Sequence, residues 1–98
     1  MHRASDIAHE AANLIATDRQ DQHGDPGESF KRIAELWTAY LRIRRDPAAE
    51  LTSADAATMM TLMKISRTQC GGHNPDDYTD AIGYVALAGD LAERERDT

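Results

Sequence analysis

Apolar positions recur along the chain at helical intervals in four separate stretches, and nowhere do they alternate in the two-residue rhythm of a strand. In the first stretch Ile7, Ala11, Leu14 and Ile15 share one face, and Ser5 stands where a cap belongs, so a helix is predicted over about 5–17. The passage Asp18-Arg19-Gln20-Asp21-Gln22-His23-Gly24-Asp25-Pro26-Gly27 is polar and rich in turn residues, and reads as a loop. Phe30, Ile33, Ala34, Trp37 and Leu41 then form a second stripe, predicting a helix over about 28–44 that Pro47 ends. Thr52-Ser53-Ala54-Asp55 resembles a capping box, with Asp in the place usually held by Glu or Gln, and opens a third helix to about residue 68. This helix is apolar on more than one side. Ala56, Met59, Met60 and Met63 mark one face while Leu62 and Ile65 lie round from it, which predicts a central element packed by several neighbours. Asn74-Pro75-Asp76-Asp77 combines a cap residue, Pro at the first helical position and two carboxylates at the positive end of the dipole. It starts a fourth helix to about residue 93, with Tyr78, Ala81, Ile82, Val85, Ala88 and Leu91 on its stripe and a solvated, fraying tail over 94–98.

The fold class these patterns define is all-α: one domain over residues 1–98, a bundle of about four helices. Ninety-eight residues with 41% hydrophobic content suffice for one core and not for two. Only 5% of the residues are aromatic, so each stripe is thin. A small scaffold of this kind is expected to gain stability by associating, as a dimer or larger homo-oligomer.

Charge and cysteine content narrow the function classes. A net charge of −6 excludes the broad basic face that long nucleic acid demands, although local basic pockets remain open. The single cysteine, Cys70, excludes a disulfide within the chain and a cysteine-based metal set, and fits a reducing compartment. No stretch approaches the ~20 apolar residues of a membrane span, and the N-terminus lacks the apolar run of a signal peptide. A cytoplasmic protein with no membrane partner is expected.

Two polar sets are candidates for chemistry. Lys64 and Arg67 share a face of the third helix, and Asp77 and Asp80 a face of the fourth, with Tyr84 one turn further on. If these helices pack antiparallel through the Gly71-Gly72 turn, the two pairs approach each other. They then form either an interhelical ion-pair network or a set in which carboxylates orient cations that hold a phosphate-bearing ligand. The second set is the loop carrying Arg19, His23 and Asp25, followed by Lys31 and Arg32, where Gly24 and Gly27 allow close backbone approach to a ligand at a helix N-terminus. Its alternative is an ordered connector in which Asp25 or Gly27 caps the helix and Arg32 pairs with Asp18. His2, His9, His23 and His73 show no metal-ligand spacing and read as surface residues, and Cys70 lacks a nucleophile pattern. The Met59, Met60 and Met63 group reads as adaptable core, and Arg42, Arg44 and Arg45 as a solvated helix end that complements the dipole.

The ordered pieces carry a resemblance. Asp18-Arg19-Gln20, His23-Gly24-Asp25-Pro26 and the run Phe30-Lys31-Arg32-Ile33-Ala34-Glu35-Leu36-Trp37 resemble an uncharacterised family of small helical phage and prophage proteins. Thr52, Asp55, the run from Met59 to Arg67 and the run from Asp76 to Tyr84 resemble the same family, so nearly the whole chain is covered. The resemblance implies a phage setting and no settled reaction. The pieces around Lys64, Arg67, Asp77 and Tyr84 are also similar to phage nucleotide-modification-associated domains and, more distantly, to MazG-like all-α nucleoside triphosphate pyrophosphatases. That likeness implies magnesium held by acidic pairs. Here Asp77-x-x-Asp80 is the one obvious pair, with Asp55 and Glu28 or Glu35 as contributors across a subunit boundary.

Three functions are therefore weighed. The first is a phage-encoded protein that binds, and in an anti-defence role sequesters as a sponge, a nucleotide or nucleotide-derived immune signal. Arg19, Arg32, Lys64 and Arg67 would take phosphate, with His23, Asp25, Asp77 and Asp80 around them and Tyr84 or Trp37 beside a base. It needs no cofactor and has no catalytic residue. The second is a magnesium-dependent nucleotide pyrophosphatase with Asp77 and Asp80 as metal ligands. The third is a structural or interaction protein whose polar network fixes helix register.

Overall fold

The computed structural model describes residues 3–17 and 25–96. Among them are four helices and no strand: α1 (Ala4–Thr17), α2 (Pro26–Ile43), α3 (Ser53–Arg67) and α4 (Pro75–Arg96). The all-α reading holds, and each helix lies where its stripe predicts.

The boundaries show which local signals act. α1 begins one residue ahead of the expected Ser5 cap: the Arg3 N–H donates to the Asp6 carboxylate at 3.3 Å, leaving Ser5 inside the first turn. α2 starts at Pro26 because Asp25, in extended conformation, accepts from the Glu28 N–H at 3.0 Å. α3 opens on the full capping box, with Thr52 Oγ1 accepting from Asp55 N and the Asp55 carboxylate accepting from Thr52 N. The α3–α4 turn passes through Gly71 at φ 62°, a left-handed conformation in which a side chain would be strained. The Asn74 side chain then accepts from the Asp76 N–H at 3.0 Å, and α4 continues to Arg96, three residues past the expected end.

α3 is the central element. It packs extensively on α4 and on α2, as its many-sided apolar content predicts. The core is small. Ile33, Cys70, Ala81 and Ala88 are its buried apolar members, and no large side chain among the described residues is completely enclosed. Trp37 is half-buried between α2 and α3, its indole N–H donating to the Met59 carbonyl at 2.7 Å. α1 makes no extensive packing contact with the other helices, and residues 4–16 are exposed throughout.

Candidate ligand-binding site

The turn between α3 and α4 brings the end of one helix beside the start of the next, and Arg32 ties α2 to the same end. Arg32 Nη1 donates to the Gln69 carbonyl at 3.2 Å and lies 3.8 Å from Cys70 Sγ. Both partners are neutral, and no acid among the described residues pairs with this guanidinium. A hollow of about 170 Å³ beside it is lined by Asp25, Glu28, Ser29, Arg32, Gln69, Cys70 and Gly71. Asp25 is spent there as the helix cap. The Cys70 thiol is buried and donates to the Ser66 carbonyl at 3.4 Å, which makes it part of the turn's framework.

On α3 and α4 the sequence-predicted cations and acids divide into two kinds. Lys64 Nζ meets Asp80 Oδ2 at 2.8 Å, with the lysine side chain 14% exposed and the aspartate 45%. That pair spans the two helices and is satisfied. Arg67 and Asp77 differ. Arg67 is half-buried and Asp77 only 4% exposed, yet neither side chain has a hydrogen-bond or ion-pair partner among the described residues. No fully buried side-chain nitrogen or oxygen among the described residues lacks a partner, so the polar atoms of Arg67 and Asp77 still reach solvent and are open to a ligand from that side.

The remaining candidates are placed as follows. Tyr84 is half-buried and lines, with Thr79, Asp80, Gly83 and Leu87, a hollow of about 300 Å³ on the α4 surface. Trp37 has committed its N–H to Met59, and its ring belongs to the α2–α3 contact. Asp18, Arg19 and His23 lie outside the described residues. Among the described residues no group of three or more His, Cys, Asp or Glu is gathered as a metal cluster, so Asp77 and Asp80 stand without a third such donor there.

Sequence reasoning missed a second polar centre at the opposite end of the bundle. Tyr40 donates to Asp55 Oδ1 at 2.6 Å, and Arg44 Nη2 lies 2.9 Å from Asp55 Oδ2 while also reaching the Glu50 carbonyl at 3.0 Å. Arg44 Nη1 donates to the Ala49 carbonyl at 2.8 Å. The backbone N–H and hydroxyl of Thr52 hold Asp55 pulled down to a pKa of about 2, with Tyr40 and Arg44 adding to the effect against the opposing influence of burial. Burial, followed by the hydrogen bond to Asp55, raises the Tyr40 phenol. The expectation of a solvated Arg44 is thereby corrected: its side chain is 9% exposed and locks the α2–α3 connection. The signal was the spacing of Tyr40 and Arg44, one helical turn apart just before a capping box whose acid can face them. Asp55, Tyr40 and Arg44 are all partnered within the chain, so this centre clamps the fold.

Four helices with a satisfied polar clamp between α2 and α3 define the class, and comparison with known sequences defines the family. The profile described as Domain of unknown function (DUF6378) matches residues 6–92, and the chain belongs to that family. It is 39% identical over 79 residues to the Gene 55 protein of Mycobacterium phage D29, covering 81% of this chain and 48% of that protein. It is 38% identical over 77 residues to the Gene 55 protein of Mycobacterium phage L5, covering 79% of this chain and 46% of that one. The chain thus spans about half the length of the relatives it matches, and the family is an uncharacterised phage family. No solved structure matches the chain. Among the described residues no helix is long and apolar enough to cross a membrane.

Proposed function

We propose that this phage-family chain binds a small nucleotide-like ligand at the end of the bundle where α3 passes into α4, which carries Arg67 and Asp77 and to which Arg32 is tied through the Gln69 carbonyl. The observation that carries the reading is the pair Arg67, half-buried, and Asp77, largely buried, whose polar atoms still reach solvent and have no partner among the described residues. A ligand that satisfies both must offer an anion and a hydrogen-bond donor together. A nucleotide does so, with phosphate for Arg67 and Arg32, and a sugar hydroxyl or exocyclic amine for Asp77. Lys64, held by Asp80, adds positive potential nearby without being consumed, and Tyr84 offers a ring on the same side of α4. Sequestration of a nucleotide-derived immune signal is the use that fits a phage setting and needs no chemistry beyond binding.

Calorimetry against nucleoside mono-, di- and triphosphates and cyclic dinucleotides, with and without Mg²⁺, tests the reading. One member of the panel is expected to bind. Arg67→Ala and Asp77→Asn should each weaken that binding about tenfold or more, while the melting temperature does not fall. Absence of heat across the whole panel removes the proposal, and release of pyrophosphate from a triphosphate replaces it with the hydrolase reading. The interaction-protein reading is favoured by one observation, the satisfied Lys64–Asp80 pair; it gains if Lys64→Ala and Asp80→Ala lower stability together and no ligand is found.

A further inference from the structure

Gly83 and Gly89 stand in the interior of α4, and the packing around them requires neither to be glycine. Neither has a positive φ, and nothing stands within 4 Å of where a side chain would project from either. Glycine is the poorest helix former after proline, so alanine would suit the helix better at both positions.

The two glycines differ in their surroundings. Gly89 borders the hollow beside Val85 and Ala92. Gly83 falls instead on the flank of α4 that carries Asp80, the residue through which α4 pairs with Lys64 of α3. There the hollow of about 300 Å³ is bounded by Thr79, Asp80, Gly83, Tyr84 and Leu87. The half-buried Tyr84 ring and the exposed Leu87 give it apolar edges, and bare backbone at Gly83 gives it a flat floor. Its polar groups are unequal. The Thr79 hydroxyl donates to the Pro75 carbonyl at 3.5 Å and is spent on the helix itself. Asp80 Oδ2 is taken by Lys64 at 2.8 Å, whereas Oδ1 has no partner among the described residues. An ionised carboxylate only accepts hydrogen bonds.

A flat floor, an aromatic edge and one open acceptor suit a planar ring that carries an N–H donor. Adenine, guanine and cytosine each carry an exocyclic amine, and uracil and hypoxanthine do not. Asp77 precedes Gly83 by about 9 Å of helix rise, a distance that a nucleoside diphosphate laid along α4 can span. Resting on the nucleotide reading, we infer that the base of the bound nucleotide lies over Gly83 and against the Tyr84 ring, its exocyclic amine donating to Asp80 Oδ1. Glycine at this position keeps the helix surface bare for the ring, and Lys64 is a positioning residue that fixes the carboxylate.

Calorimetry with ADP, GDP, IDP, CDP and UDP reads the base. The tightest binder should carry an exocyclic amine, and its counterpart without one, IDP for ADP or GDP and UDP for CDP, should bind about tenfold more weakly. Gly83→Ala should weaken binding and Gly83→Leu should weaken it further, by about tenfold or more, while both raise the melting temperature. Lost binding in a more stable variant is a combination that a purely structural Gly83 does not produce. Gly89→Ala, on the other side of the helix, should raise the melting temperature and leave binding unchanged. Equal affinity for the amine-bearing and amine-free members overturns the inference, and so does full binding by Gly83→Leu. Either result, with binding still lost in Arg67→Ala, leaves the nucleotide reading in place. Absence of heat with all five diphosphates also overturns the inference, and the same absence with the other nucleotides and the cyclic dinucleotides removes the nucleotide reading with it.

Discussion

Asp55 shows how one carboxylate can organise three segments at once. It closes its own capping box with Thr52, accepts from Tyr40 on α2 and holds Arg44, whose remaining donors reach the carbonyls of the connecting segment. Its pKa near 2 makes stability depend on pH in a definite sense. A carboxyl that titrates near 3.9 when unfolded and near 2 when folded contributes about 2–3 kcal/mol at neutral pH. Because the folded value is the depressed one, that contribution is complete above the unfolded pKa and disappears as pH falls from about 4 to about 2. Denaturant titrations at a series of pH values should show the loss, and Asp55→Asn should flatten that limb. Asp55→Ala, which leaves Arg44 buried without its acid, is expected to cost about 3–5 kcal/mol in chemical denaturation. Lys64→Ala is a milder case. Its partner Asp80 is nearly half exposed, so water screens the pair, and the expected loss is at most about 1 kcal/mol. A double-mutant cycle with Asp80→Ala measures that coupling. Arg44 and Tyr40 escaped the sequence reading because their partner lies across a loop: local spacing places them on one face, but only the tertiary fold says that the face meets Asp55.

At the level of the elements, the punctuation of the chain was legible almost to the residue. Thr52 and Asp55 form the predicted box, Asp25 is one of the two caps weighed for α2, and Pro75 follows Asn74 into α4. These signals are local, involving groups three residues apart, so the sequence contains them whole. Thr52→Ala and Asp25→Ala should each lower stability by about 1 kcal/mol, readable by thermal denaturation, with the larger loss at Thr52 because its hydroxyl also steadies Asp55. Less legible was how much of each stripe is covered. Phe30, Tyr78, Ile82 and Val85 belong to predicted apolar faces, yet all four are exposed, whereas Ile33, Ala81 and Ala88 from the same stripes are buried. Periodicity identifies the side of a helix that seeks apolar company; it does not say how many neighbours the fold supplies. The candidate site divides in the same way. Helical spacing correctly put Lys64 and Asp80 within reach, while the contrast between their satisfied pair and the unengaged Arg67 and Asp77 depends on side-chain geometry across two helices.

For the molecule as a whole, the thin core sets the terms. Its buried apolar members are one isoleucine, one cysteine and two alanines, and the polar clamp and ion pairs fix the helices more than they drive them together. The association expected from the sequence would link folding to assembly, so the melting temperature should rise with protein concentration; calorimetric scans over a hundredfold range of concentration measure the slope. The expectation of association rests on the few aromatic residues of the sequence, which do not say which faces would carry it. One consequence of the α2–α3 contact is practical. The chain's only tryptophan sits in it with its indole nitrogen bound to a main-chain oxygen. Its emission is therefore a built-in optical gauge of whether these two helices are docked, reddening when they part and staying silent about events confined to α1.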